Sequence, residues 1–268
     1  MLEKTRQTVS FIQEKFNITP EVGIILGTGL GGLVNEIEIQ HTIDYEEIPN
    51  FPVSTVEGHH GRLIFGKLGG KNIIAMQGRF HFYEGYPISE VTFPVRVMKY
   101  LGVKTLLVSN ASGGVNPDFE IGDLMIIDDH INLIPNPLIG VHNNDFGARF
   151  PDMSEPYDKI LIARAQDIAK HHIKTQIGCY VATTGPTFET PKEYQYFRII
   201  GGDTVGMSTT PEIIVARQMG IPCFAISIIT DLGVPGKIVE VTHEEVQKVA
   251  AKAETKMTLI MRELISQL

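Results

Sequence analysis

The stretch YDKILIARAQDIAKHHIKTQIGCYVATTGPTFETPKEYQYFRIIGGDTVGMSTTPEIIVARQMGIPCFAISIIT, Tyr157 to Thr230, decides the fold class. Its spacing predicts a helix from Tyr157 to His172, a strand from Gly178 to Thr183 and a helix from Pro191 to Ile200. A strand over Thr204 to Met207, a helix over Pro211 to Met219 and a strand over Pro222 to Thr230 follow. Strands that alternate with helices in this way lie parallel, with the helices on the sheet faces.

Toward the C-terminus, Thr242 followed by Glu245 is a capping box. Val246, Val249, Ala253, Met257, Ile260, Met261 and Leu264 then form one apolar stripe, so this last helix should pack on the sheet. Toward the N-terminus, Leu124 to Asp128 reads as a strand, and residues 132–153 are rich in Pro, Asn and Gly with little periodicity, a length that suggests a functional loop. A helix over Val91 to Leu101 and a strand over Thr105 to Ser109 precede them. Arg62 to Leu68 and Lys71 to Gly78 read as a hairpin turned by Gly69-Gly70. The first helix carries Val9, Ile12 and Phe16 and is ended by Thr19-Pro20. The strand Val22 to Leu26 leads into the glycine cluster Gly27 to Gly32, and GLVNEIEIQ after it is a short helix at best before irregular chain. No linker, internal repeat or low-complexity tract divides the chain. The expectation is one α/β domain over residues 1–268, with a central mixed, largely parallel twisted sheet flanked by helices.

At 268 residues, 20% charged and 43% hydrophobic, the chain has the composition of a globular protein and not of a disordered tail. A net charge of −8 argues against a sequence-blind grip on nucleic-acid phosphates, although a small anion could bind locally. No apolar run approaches the ~20 residues that span a bilayer, and MLEKTRQTVS lacks a secretory core, which points to the cytoplasm. Cys179 and Cys223 lie in apolar strand-like segments and read as small buried side chains.

Gly27 to Gly32 fits G-x-G-x-x-G by letter, yet it opens no full helix and Glu46 and Glu47 fall in a loop, so a phosphate-binding loop or a plain turn fits better than a dinucleotide fingerprint. Arg62 beside His59 and His60, and Arg79 beside His81, place cations and donors next to glycine at strand edges, as an anionic ligand requires. Each histidine is as readily a surface or structural residue. No Cys/His spacing suits a metal. Phe188 and Glu189 at a strand-to-helix turn could stack on a flat ring and accept its N–H groups, or Glu189 could cap the helix that Pro191 begins. Ser208 is either a helix cap or a phosphate ligand, since both roles use the same helix N-terminal geometry.

Taken together and in order, these segments resemble the trimeric purine nucleoside phosphorylases. The resemblance is carried by GTGLGGL at 27–33, EGHHGRLIFG at 57–66, MQGRFHFYEGYP at 76–87, VTFPVRV at 91–97 and SNASGGVNPDFEIGD at 109–123. It continues through DHINL at 129–133, RFPDMSEPYD at 149–158, TGPTFET at 184–190 and VGMSTTPEIIVAR at 205–217. It implies that inorganic phosphate attacks the anomeric carbon of inosine, guanosine or their deoxy forms, giving free base and ribose 1-phosphate, with no metal or organic cofactor. The phosphate site it implies is Thr28, His59, Arg79, His81, the Ala111 backbone and Ser208. Tyr83, Met207 and His243 would hold the ribose, with Phe150 reaching in from a neighbouring subunit of a homotrimer. Tyr180, Phe188, Glu189, Val205 and Asp231 would surround the purine, and His81, Glu189, Asp231 and His243 would serve the chemistry.

One position departs from the family's pattern. Thr230-Asp231 stands where members acting on 6-oxopurines usually carry Thr-Asn, and an ionised Asp can only accept hydrogen bonds. Asp231 alone favours adenosine or 5′-methylthioadenosine as substrate. Glu189 favours the N1–H of hypoxanthine and guanine, and the polar His243 does not suit a thioether. A protonated Asp231 would restore the 6-oxopurine fit. A binding protein that keeps the fold without turnover is the remaining rival.

Overall fold

In this computed structural model residues 1–27, 31–53, 55, 60–170 and 173–268 are described. The chain runs α1 (Leu2–Lys15), β1 (Val22–Leu26), β2 (Glu38–Asp44), β3 (Arg62–Leu68), β4 (Lys71–Gln77), α2 (Ile88–Val91) and α3 (Phe93–Leu101). It continues with β5 (Thr105–Gly114), β6 (Leu124–Asn132), α4 (Lys159–Ala169), β7 (Thr175–Ala182) and α5 (Pro191–Ile199), then β8 (Thr204–Gly206), α6 (Thr210–Gln218), β9 (Cys223–Leu232) and α7 (His243–Ser266).

The nine strands form one sheet in the order β2-β3-β4-β1-β5-β8-β7-β6-β9. β1, VGIIL, is buried at every position, as a strand covered on both faces must be. It runs parallel to β4 and β5. The pairs β5–β9, β6–β7 and β7–β8 are also parallel, whereas β2–β3, β3–β4, β5–β8 and β6–β9 are antiparallel. The sheet is therefore mixed with a parallel majority, as expected.

Sequence reading did not anticipate the closure of this sheet. β9 pairs with β6 through Ile226 to Ile228 and with β5 along nearly its whole length, so β5, β8, β7, β6 and β9 form a ring. β5 serves two neighbours by bending: its first half lies on β1, and Gly113 and Gly114 pair with β8. Across this bend Ser112 pairs with Ile229 and Gly113 with Asp231, so Thr230 is an extra residue on β9, a bulge that turns the strand.

Gly69 and Gly70, at φ +56 and +80, make the tight turn of the β3–β4 hairpin. The segment expected to be irregular after the glycine cluster instead contains a 3₁₀ turn, Gly31–Glu36, and the edge strand β2. Only Ile43 of β2 is buried, so no alternation marked it. The helix expected from Val91 divides at Thr92 into α2 and α3. Cys223 is buried, but Cys179 is only partly so, a correction to the reading of two buried thiols. The amphipathic α7 buries Met257, Ile260, Met261 and Leu264 in the main core.

Candidate active site

A cavity of about 460 Å³ opens where strands β4, β5, β7, β8 and β9 end, at their carboxyl edges. Ligand sites in parallel sheets gather there because successive loops leave the sheet on that side. Arg79 and His81 follow β4, and Ala111, Ser112 and Gly113 come from the bent end of β5. Phe188 and Glu189 follow β7, Met207 and Ser208 follow β8, Thr230 and Asp231 belong to β9, and His243 opens α7. The close approach of β1 to β5 behind this edge needs Gly27, where a Cβ would meet the Ser109 carbonyl oxygen at 2.7 Å.

One part of the wall is cationic and hydroxyl-rich. Arg79, 1% exposed, forks onto Glu212 with its Nε and Nη2 each 3.2 Å from a carboxylate oxygen. Its Nη1 donates to the Ser109 carbonyl at 2.9 Å and to Ser208 Oγ at 3.1 Å. A buried guanidinium needs such a counter-charge. His81 Nδ1 lies 3.1 Å from Glu84 Oε1, which also accepts the His81 backbone N–H at 2.7 Å. Burial lowers the His81 pKa. Burial works to raise that of Glu84, but hydrogen bonds from His81 and Thr55 outweigh it and hold the carboxyl at about 2. The His81 ring stacks on Tyr83 at 4.7 Å, and burial pushes the Tyr83 phenol up to about 12.

Ser208 stands just before α6 on a strained turn. Thr209 has φ +65 and ψ −60, and the Thr210 N–H donates to the Ser208 carbonyl at 2.7 Å, the geometry of a γ-turn that a β-branched residue rarely enters. Asn110 Nδ2 holds the Thr209 hydroxyl at 2.8 Å. The cap position of α6 is therefore Thr209, and Ser208 is turned into the cavity beside Arg79.

The opposite group of lining residues is acidic and aromatic. Phe188 is exposed at 42%, and Glu189 follows it. Glu189 does not cap α5: Thr190 does, with Glu193 completing the capping box. The Thr183 hydroxyl donates to Glu189 Oε1 at 3.4 Å, and burial, with Asp231 adding to it, raises the Glu189 carboxyl to about 7. Asp231 is 8% exposed, and burial raises its pKa too. Its Oδ1 accepts from Thr230 Oγ1 at 3.0 Å and its Oδ2 from the Tyr194 hydroxyl at 3.2 Å.

Of the residues singled out from sequence, Arg79, His81, Tyr83, Ala111, Phe188, Glu189, Val205, Met207, Ser208, Asp231 and His243 line this one cavity. Thr28 and His59 lie outside the described residues. Tyr180 does not line the cavity: it is wholly buried against Gly206, and its hydroxyl accepts the Ser208 N–H at 3.3 Å, so it supports the wall from behind. Phe150 is 88% exposed and borders a separate depression with His130, Leu138 and Arg149. Sequence reasoning missed Glu84, Glu212 and Tyr194, each of which holds a site residue in place. Glu84, three residues after His81 on a tight turn, could have been found by spacing. The other two reach their partners only through the fold. Among the described residues no three His, Cys, Asp or Glu side chains converge as metal ligands, and no helix is long and apolar enough to cross a membrane.

The phosphorylase superfamily pattern matches residues 21–266. The purine nucleoside phosphorylase 1 of Bacillus subtilis (strain 168) is 50% identical, covering 100% of this chain and 99% of its own. The purine nucleoside phosphorylase of Bos taurus is 48% identical over 95% of this chain and 91% of its own. Solved structures of the Schistosoma mansoni purine nucleoside phosphorylase in complex with adenosine and with inosine superpose at a TM-score of 0.94, at 42% and 41% identity, each covering 99% of this chain. They cover 97% and 96% of their own chains. The chain belongs to the phosphorylase superfamily and, within it, to the purine nucleoside phosphorylases.

Proposed function

We propose that the chain cleaves inosine, guanosine and their deoxy forms by phosphorolysis, with Arg79, His81 and Ser208 holding phosphate and Glu189 holding the base. The observation that carries this reading is the division of one cavity between a cation with hydroxyl donors and a buried carboxylate beside an exposed aromatic ring. Phosphate held by Arg79 and Ser208, with Thr28 and His59 as further ligands and the Ala111 backbone beside them, faces the anomeric carbon. As the C1′–N9 bond lengthens, positive charge grows on the ribose and negative charge enters the purine. Preorganised groups lower the barrier by meeting both charges without rearranging. Tyr83, Met207 and His243 position the ribose, and Phe188 and Val205 enclose the base.

Glu189 selects 6-oxopurines because an ionised carboxylate accepts their N1–H, whereas adenine N1 is itself an acceptor. Adenosine and 5′-methylthioadenosine are accordingly disfavoured. The reaction needs no metal or organic cofactor, phosphate being the second substrate. We infer that residues 1–268 act as one catalytic unit, that three copies assemble in the cytoplasm, and that Phe150 completes a neighbour's ribose site. Its high exposure, together with that of Ile139 and Val141, supports such a contact. Hypoxanthine release from inosine, measured with and without phosphate and beside adenosine, tests the reading. Release only with phosphate, and at least tenfold faster from inosine, is expected; equal release without phosphate would replace phosphorolysis by hydrolysis.

A further inference from the structure

Ser208 serves phosphate only if its single hydroxyl proton points at the ligand, and a serine hydroxyl rotates unless its surroundings decide where that proton goes. Two neighbours address its oxygen. Arg79 Nη1 lies 3.1 Å away and, as a guanidinium nitrogen, can only donate. Thr209 Oγ1 lies 3.2 Å away, a distance at which either hydroxyl could be the donor. Asn110, on β5, settles the direction from one step farther back. Its Nδ2 donates to Thr209 Oγ1 at 2.8 Å, and with Asn110 2% and Thr209 0% exposed, solvent does not compete. Thr209 accepts that bond, so its own proton turns to Ser208 Oγ, the remaining hydrogen-bond partner of its hydroxyl among the described residues. An oxygen that accepts from both Arg79 and Thr209 has both lone pairs engaged, and its proton is left for the cavity that Ser208 lines.

Two further observations indicate that this arrangement is built for the site. The Oδ1 of Asn110 is buried without a partner, so the Thr209 hydroxyl is the one hydrogen-bond partner of this amide side chain among the described residues. A buried amide satisfied so sparsely is a poor device for stability alone. The backbone of Thr209, at φ +65 and ψ −60, is also unfavourable for a β-branched residue and persists only where its surroundings hold it. Asn110 supplies that hold from β5, whose next residue, Ala111, lines the same cavity.

We propose that Asn110 and Thr209 are positioning residues for phosphate: a relay from Asn110 Nδ2–H to Thr209 Oγ1–H to Ser208 Oγ–H fixes both the place of the Ser208 hydroxyl and the direction of its proton. The proposal rests on the phosphorolysis reading and deepens it. Every hydroxyl keeps its own proton, and neither Asn110 nor Thr209 touches a substrate. Their effect is that Ser208 meets the phosphate oxygen already oriented, as preorganised electrostatics requires.

Steady-state kinetics with phosphate and inosine varied in turn test the relay. Thr209→Val keeps the branched shape without the hydroxyl and should raise KM for phosphate about tenfold, the scale of one hydrogen bond to a charged ligand. KM for inosine, at saturating phosphate, should stay within about twofold. Thr209→Ser retains the hydroxyl and should behave like the unaltered protein. Asn110→Ala should match Thr209→Val, and the double variant should lose no more than either single one, because a relay already broken is not broken again. A lower melting temperature with both KM values unchanged, equal rises in both KM values, or losses that multiply in the double variant would each overturn the proposal. Should Asn110→Ala fail to fold, the contrast of Thr209→Val with Thr209→Ser decides by itself. Absence of phosphate-dependent base release by the unaltered protein would instead overturn the underlying reading.

Discussion

Glu189 shows how much of a residue's role depends on surroundings that its sequence neighbours do not reveal. TGPTFET marks it as an acceptor or a helix cap, and the capping box of Thr190 and Glu193 leaves only the first role. Burial raises its carboxyl to about 7, so its charge changes within the working range of pH. On the proposed reading the ionised form accepts the N1–H of inosine, so protonation below pH 7 would remove that acceptor. A single group with this pKa is about a tenth ionised at pH 6 and about nine-tenths ionised at pH 8, which makes KM for inosine about tenfold higher at pH 6. Initial rates across that range check it. Adenosine, whose N1 pairs with the protonated form, should show the opposite trend, and Glu189→Ala should flatten both profiles. In that variant the loss of a charge-assisted contact should cost inosine about 2–4 kcal/mol of transition-state stabilisation. Arg79 was legible because Arg beside glycine and His is a familiar anion pattern, but its buried partner Glu212 lies more than a hundred residues away and no local spacing connects them.

At the scale of elements, the strands and helices with strong apolar runs were legible, and the rims around the cavity were not. β5 and β6 extend beyond their apolar cores through SNASGG and DHIN, polar and glycine-rich segments that local propensity assigns to loop. They stay in the sheet because tertiary pairing to β9 and β7 supplies the hydrogen bonds. α7 was read correctly from both its cap and its stripe. The Thr242 hydroxyl accepts the Glu245 N–H at 3.2 Å, and the Glu245 carboxylate answers by accepting the Thr242 N–H at 3.0 Å. This cap fixes the end of the helix that carries His243 into the cavity, while farther along Glu254 accepts the N–H of Gly32, the last residue of the glycine cluster. Thr242→Ala should therefore cost about 1 kcal/mol of stability. Because the helix end would fray, it should also raise KM for inosine several-fold while kcat changes little. Urea denaturation and steady-state kinetics on the same preparation measure the two effects, and a stability loss without a change in KM would separate the cap from the site.

At the scale of the whole molecule, the distribution of apolar surface matters more than any single contact. Ile139, Val141 and Phe150 are 79%, 104% and 88% exposed on the same irregular region, residues 132–153, that sequence reading marked as functional. Exposed side chains of this size gathered on one region are what a subunit contact buries. If Phe150 enters a neighbouring site, each cavity is built from two chains and a defect can be repaired from outside. A Phe150→Ala protomer keeps its own Glu189 but cannot complete its neighbour; a Glu189→Ala protomer has a damaged site but can still lend Phe150. Each variant alone should retain only a few per cent of activity on inosine. Random co-assembly of the two in equal amounts into a closed ring places an intact Glu189 beside an intact Phe150 at about a quarter of the sites. Co-expressed protein should thus recover about a quarter of full activity, well above the mean of the two separate variants. Sedimentation should give three times the 29.7 kDa chain mass for every preparation. Activity equal to that mean, in protein of trimer mass, would confine each site to a single chain and remove Phe150 from it.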